Sequence, residues 1–438
     1  MRINTLLVFI VFILSLSASA QTPNKVALIV AVSNYDPSTG WDNLSSEADV
    51  KLVTEALKKQ GFKSENIAIL RDKDADLNGI TSAIDKYLTG KVKKDQDDIA
   101  VFHFSGHGQQ MMDDNGDEGD GLDEALVPYD APLAYNPNEN KHLRDDLLEK
   151  KLNEVRLALG SKGSLLVVVD ACHSGTSTRG SGKTRGSTRI YAPSDYVPKK
   201  ELTTSENFGI TGAEEDMAPM TGFFASGPFE QNAEASLPGG EGCGSLSLAF
   251  SRALSKADRK MSYKALFEDI KIQMSALVPQ QTPMAEGDLD TEILGGNVLP
   301  KTSYYLLEKK DDILTIPVGT LYGIYEGTTV KLYPADTRDT ARTKPIARGK
   351  ITSAGVYSSI VELEKQLTAS DIQRSWLYLD EVNFGDLVVQ VGLNIADNAL
   401  TAKVKSAIAD INQMKLNTNA ADLYIQTGKG FSADSVYI

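Results

Sequence analysis

Short apolar runs recur along the first two thirds of the chain, each separated from the next by a stretch with helical spacing. Lys25 to Val32 reads as a strand, and Ser46 to about Lys59 as a helix closed at Gly61, with Ser45 or Ser46 as its N-cap. Ile67 to Leu70 predicts a second strand and Ile80 to Leu88 a helix. Ile99 to Phe104 predicts a third strand and Leu143 to Leu159 a helix. Leu165 to Val169 is a run of branched apolar residues and predicts a fourth strand; Gly222 to Ala225 predicts a fifth. Strands apolar on both faces and alternating with helices indicate a mainly parallel sheet covered on both sides, a three-layer α/β/α domain over 21–299. Sheets of this kind hold their reactive groups at the carboxyl ends of their strands.

From 300 to about 390 the texture changes to short β runs broken by Gly, Asp and Pro, which predicts a small β-rich domain. The last piece, 391–438, reads as a short α/β segment. It stops at Ser435-Val436-Tyr437-Ile438, which reads as the start of a further strand, so an incomplete final unit is the expectation. At the other end, Arg2, the apolar run Leu6 to Leu14 and the Ala18-x-Ala20 pattern form a secretory leader over 1–20. This predicts an exported protein, periplasmic or extracellular, with no membrane span in the mature chain.

Composition narrows the function. Lys plus Arg number 45 against 59 Asp plus Glu, a formal net charge of −14. That balance argues against nucleic acid as a partner. There are only two cysteines, Cys172 and Cys243, and four histidines, His103, His107, His142 and His173. Export makes a Cys172–Cys243 disulfide the plain alternative to any thiol chemistry.

The third predicted strand ends in Ser105-Gly106-His107-Gly108 and the fourth in Asp170-Ala171-Cys172-His173-Ser174-Gly175. An imidazole and a thiol thus emerge at the carboxyl ends of two strands, the pairing a thiolate nucleophile needs. The backbone N–H groups of Gly108 and Cys172 are the natural donors to an oxyanion. His103 falls inside its strand and reads as a core residue, and His173 points away from the nucleophile's side. Asp170 precedes Cys172 by two, so both project from one face of an extended segment, and a carboxylate there attracts Arg or Lys.

These motifs, with Asp117-Glu118-x-Asp120-Gly121-x-Asp123-Glu124, Pro128-x-Asp130, Asp145-Asp146, Ala233-Glu234-Ala235 and Gly244 to Leu254, closely resemble the metacaspase branch of the caspase-like cysteine peptidases. The resemblance covers roughly 25–299. It implies a caspase-like fold and a secreted bacterial endopeptidase with His107 as base and Cys172 as nucleophile, needing no cofactor for the chemistry itself. Caspases proper carry Gln-Ala-Cys where this chain has Asp170-Ala171-Cys172. The resemblance adds Asp49 to Asp170 as the pocket for the substrate's basic residue, so the partners expected are proteins or peptides cut after Arg or Lys. It also implies stimulation by Ca2+, held by Asp117, Asp120, Asp145 and Asp146. The position where the family has a further carboxylate holds Arg179, and a solvated acidic loop is the alternative. An EF-hand is excluded by Glu118 at its sixth position. The loop 175–216 is expected to be flexible and basic, and the nearest substrate for such an enzyme, cut after Arg179, Lys183, Arg185, Arg189 or Lys199. Two other readings stay open: a clostripain- or gingipain-like peptidase, and a catalytically silent binding protein on the same fold.

Overall fold

A computed structural model describes residues 23–437 except 117, 173–182, 199–215, 228–229, 259, 296, 298, 300–303, 311, 341, 384–388, 396, 410, 412–413, 418–420 and 428–435. The leader and His173 therefore lie outside the described residues. The chain divides into two compact units, 1–299 and 300–438.

The first unit is built on strands β1 (Lys25–Ala31), β2 (Ile67–Arg71), β3 (Ile99–Ser105), β7 (Ser164–Asp170), β8 (Met220–Phe224) and β11 (Met284–Gly287). Their spatial order is β11-β8-β7-β3-β1-β2, parallel throughout except for β11 at one edge. Alternate residues of each strand enter different cores, which is why the strands read as unbroken apolar runs. Leu28, Val30, Phe102, Leu165 and Val167 pack on one side with α2 (Leu77–Ala83) and α3 (Asp145–Leu159). Ala27, Ile29, Val101, Leu166 and Val168 pack on the other with α1 (Ser46–Lys59), α4 (Ser245–Leu254) and α5 (Tyr263–Leu277). This is the three-layer α/β/α arrangement.

Helix boundaries differ from the sequence pattern at polar ends. α2 starts at Leu77, because Asp76 accepts the Gly79 N–H and caps it, and a π-helical turn carries it on to Thr89. Leu143–Arg144 is a short strand, β6, and α3 starts only at Asp145. Ser45 does not cap α1; its hydroxyl and N–H both go to the Glu234 carboxylate. Three further short pieces matter for the site: a sheet of β4 (Gly108–Met112), β5 (Leu122–Leu126) and β6, and a hairpin of β9 (Glu234–Ser236) and β10 (Gly242–Gly244).

The second unit holds a six-stranded antiparallel sheet, from Glu308–Lys310 to Ser375–Leu379, around Ile316, Val330, Leu332, Ile351 and Leu377. Val389–Asn394 then pairs in parallel with Met414–Leu416 and Leu423–Thr427 beside the helix Asn398–Ala409.

Candidate functional site

β3 and β7 are neighbours in a register that sets Ser105 beside Asp170. His107 and Cys172 each lie two residues beyond that pair, so the sheet itself delivers imidazole and thiol to one place. Both are buried. Both cysteines are free thiols. The disulfide considered from the sequence is corrected, and the silent-binding reading loses that support. Cys243 lies in β10, and burial followed by the nearby Asp49 and Asp170 charges pushes its pKa up to about 12, which keeps it a thiol. The Cys172 thiol donates to the Glu230 carbonyl at 2.7 Å.

The loop after β1 fixes His107. Asp72 accepts the N–H groups of Ser33 and Asn34 and anchors the loop's start. Tyr35 accepts the His107 backbone N–H at 2.7 Å and donates to the Val127 carbonyl at 3.2 Å. Trp41 stacks on the imidazole, with centroids 4.6 Å apart and planes at 25°. His107 Nε2 lies 2.9 Å from the Asp42 carbonyl. A carbonyl only accepts, so Nε2 carries the proton and Nδ1, buried with no hydrogen-bond partner among the described residues, keeps its lone pair. Burial, opposed by the Asp42 carbonyl, lowers the His107 pKa to about 4, so the ring is neutral at pH 7. Replacing Tyr35 by Phe orphans the His107 N–H and is expected to cost about 1–3 kcal/mol, read as a lower urea midpoint with an unchanged m value.

The pocket beside Cys172 contains three carboxylates and one arginine, and that arginine is the chain's own Arg185. Its Nη2 lies 2.9 Å from Asp49 and 3.1 Å from Glu234, and its Nη1 lies 2.6 Å from the Ser105 hydroxyl and 3.8 Å from Asp170. Asp49 also accepts from the Ser105 hydroxyl and the Gly244 N–H, while Asp170 accepts from Asn232 Nδ2 and the Ser247 N–H. Gly244 is a glycine of necessity: a Cβ there would stand 2.1 Å from Asp170 Oδ2 and 2.8 Å from Asp49 Oδ2. Burial raises Asp49 to about 6; Arg185 holds it down and Asp170 pushes it further up. Burial works against the Arg185 charge, but Asp49, Asp170 and Glu234 outweigh it and the guanidinium stays protonated.

The carbonyl of Arg185 accepts from the Cys172 N–H at 2.9 Å and from the Gly108 N–H at 3.1 Å. The two amides expected to hold an oxyanion thus both hold the carbonyl of an arginine whose side chain fills the acidic pocket. A cleft of about 570 Å3 beside this buried arginine is lined by Trp41, Asp42, His107, Leu133, Thr184 and Gly186 among others.

Of the loop expected at 175–216, residues 183–198 are described, and Lys183, Thr184, Gly186, Ser187 and Thr188 line the cleft. Lys183 and Arg189 are exposed, and Lys183 donates to the Asn43 carbonyl. Arg179 and Lys199 lie outside the described residues. Sequence reasoning gave no role to Glu234, Tyr35, Trp41 or the Asp42 carbonyl; Glu234 had a signal in the family-like Ala233-Glu234-Ala235. His103 is buried in the core as expected, its Nε2 3.0 Å from the Ser247 hydroxyl.

Of the four carboxylates expected to hold calcium, Asp146 lies in a carboxylate cluster. Among the described residues, the carboxylates that come together, with ligand atoms within 4.8 Å of one another, are Asp114, Asp123 and Asp146. Asp120 turns onto the Leu122 N–H, Asp145 is not in the trio, and Asp117 lies outside the described residues. Arg144 pairs with Asp123 and stands 3.3 Å from Asp114. The donor set fits a calcium ion as hard oxygens, with Arg144 as the cation that would have to give way. Burial and neighbouring carboxylates raise Glu124 to about 8 and Asp145 to about 7.

The caspase-domain family model matches residues 24–294. Metacaspase III c of Phaeodactylum tricornutum is 40% identical over 161 residues, covering 36% of this chain and 44% of that protein. Metacaspase-1 of Yarrowia lipolytica is 28% identical over 246 residues, covering 49% of this chain and 51% of that protein. Metacaspase-2 of Arabidopsis thaliana is 36% identical over 159 residues, covering 35% of each chain. The chain thus spans about half or less of the length of these relatives. Since the family model takes in more than half of the chain, including both strand ends that carry His107 and Cys172, the chain belongs to the caspase-domain family, with metacaspases among its relatives.

Proposed function

We propose that this protein is a cysteine endopeptidase that cuts after Arg or Lys and processes its own chain after Arg185. One observation carries the reading: an arginine sits with its guanidinium among Asp49, Glu234 and Asp170 while its carbonyl oxygen lies on the N–H groups of Cys172 and Gly108. In the proposed reaction Cys172 sulfur attacks the carbonyl carbon and its proton passes to His107 Nδ1. The negative oxygen is held by the two amides. The C–N bond breaks as His107 returns the proton to the departing amine, leaving a thioester. Water, deprotonated by His107, then hydrolyses that ester and frees the thiol. Asp42 keeps Nε2 protonated throughout, so Nδ1 is the atom that shuttles the proton.

Calcium stimulation belongs to the same proposal, with Asp114, Asp123 and Asp146 as the carboxylates that would hold the ion. The leader expected from the sequence at 1–20 supports an exported enzyme. Among the described residues no helix is long and apolar enough to cross a membrane.

The test is hydrolysis of fluorogenic peptides ending in Arg, Lys or Asp, with calcium or with a chelator. Cleavage after Arg and Lys but not Asp is expected, faster with calcium. Equal cleavage after Asp removes the pocket reading, and equal rates with calcium and chelator remove the calcium reading alone.

A further inference from the structure

The segment in the cleft is clamped on both sides of the Arg185–Gly186 bond. Upstream, Thr184 pairs with Ala233, the Arg185 N–H donates to the Asn232 carbonyl at 2.8 Å, and the Glu234 N–H donates to the Lys183 carbonyl at 2.9 Å. Downstream, Gly186 pairs with Gly108 and Tyr191 with Met111. Tyr191 is buried, with its ring 4.4 Å from that of His142 and 5.3 Å from that of Tyr135. A segment held at both ends cannot slide to make room in the middle.

At Gly186 there is no room. A Cβ there would stand 2.4 Å from the Cys172 carbonyl oxygen, 3.1 Å from Cys172 Cβ and 3.2 Å from the Cys172 carbonyl carbon. None of these atoms is the free end of a side chain. They are the backbone and Cβ of the nucleophile, just beyond the end of β7, and the same residue's N–H holds the Arg185 carbonyl. Lifting the segment to admit a side chain lengthens the two amide contacts that the tetrahedral intermediate depends on.

We propose that the site selects glycine on the leaving side of the scissile bond, so that its preferred substrates are Arg–Gly bonds. The proposal rests on the peptidase reading above and adds the residue whose amine departs when the Cys172 thioester forms. The sequence supports it separately. Thr-Arg-Gly-Ser occurs twice, at 178–181 and 184–187, whereas Lys183, Arg189 and Lys199 are followed by Thr184, Ile190 and Lys200. The first copy lies outside the described residues. The selection sorts the five basic candidates: Arg179 and Arg185 are cut, and the other three are not.

The test uses the full-length protein and three quenched-fluorescence peptides, Lys-Thr-Arg-Gly-Ser-Thr and the same peptide with Ala or Val in place of Gly. A Thr-Arg-aminocoumarin, whose planar leaving group has no tetrahedral Cβ, is run beside them. The coumarin is expected to be cut, kcat/KM to fall about tenfold from Gly to Ala, and to fall about tenfold again to Val. Rates equal within about twofold across the three peptides overturn the glycine selection while cleavage of the coumarin leaves the peptidase reading standing. No cleavage of coumarin or peptides overturns the peptidase reading and the selection with it.

Discussion

Wild-type protein held at neutral pH is expected to be cut at Arg185–Gly186, with Arg179–Gly180 as the second cut, whereas Cys172→Ala stays a single chain. The substrate is already in place: its carbonyl lies on two amide donors and its guanidinium is fully buried among carboxylates. Attack within one chain carries no cost of bringing reactants together, an advantage equivalent to effective concentrations of about 10^5 M or more in well-oriented cases. Removing the nucleophile of a hydrolase that acts through a covalent ester lowers its rate by on the order of a millionfold. Intact-mass spectrometry and N-terminal sequencing of both proteins read the result. A new N-terminus at Gly186 in Cys172→Ala would assign the cut to another protease. His107→Ala is the companion variant: it keeps the thiol but removes the atom that takes its proton, and should also remain intact.

The parts of the site that the sequence made legible are those governed by strand geometry. A strand's end is visible as the end of an apolar run, so Gly108, His107 and Cys172 could be placed, and the period of two brought Asp170 to the nucleophile's side. Asp49 came from the family resemblance, which implies a pocket carboxylate at the start of α1. The remaining parts answer to other physics. Glu234 reaches the pocket from the β9–β10 hairpin, 189 residues from the Ser45 it binds, and one carboxylate among many has no pattern of its own. Asp42 acts through its backbone carbonyl, which every residue type possesses. Trp41 and Tyr35 act through a ring face and a phenol in an irregular loop, where no periodicity reports direction. The arginine that enters the pocket was one of several in a basic loop, and its register depends on pairing with Ala233 and Gly108 rather than on local propensity. Asp114 and Asp123 were not singled out as ligands for the same reason. Asp123 reaches the trio because β5 pairs with β4, placing Asp123 opposite Met111, and spacing along the chain does not contain that pairing.

Asp49→Asn is expected to lower kcat/KM for Arg substrates by about a hundredfold or more, equivalent to about 3 kcal/mol, and to flatten the acid limb of the pH profile. Asp49 sits near 6 even while Arg185 lowers its pKa. Once the segment has been cut and has left, that lowering is lost and the Asp170 charge beside Asp49 still raises its pKa. Below that pKa the empty pocket holds a proton that an incoming arginine must displace; above it the pocket is charged and ready. The sign is therefore fixed: kcat/KM for Arg substrates rises as pH increases through the raised pKa, and the rise disappears when Asn occupies position 49. Asn retains a carbonyl oxygen for the Gly244 N–H, so the pocket's shape survives and the charge is what changes. The same geometry favours Arg over Lys by about tenfold. A guanidinium spans Asp49 and Glu234 with one nitrogen and Ser105 with the other, and an ammonium presents a single centre that cannot reach all three. Matched Arg and Lys substrates assayed from pH 5 to 8 on wild type and Asp49→Asn measure both effects. An unchanged acid limb in the variant would assign that limb to another group, such as His107, and leave Asp49 as a positional contact only.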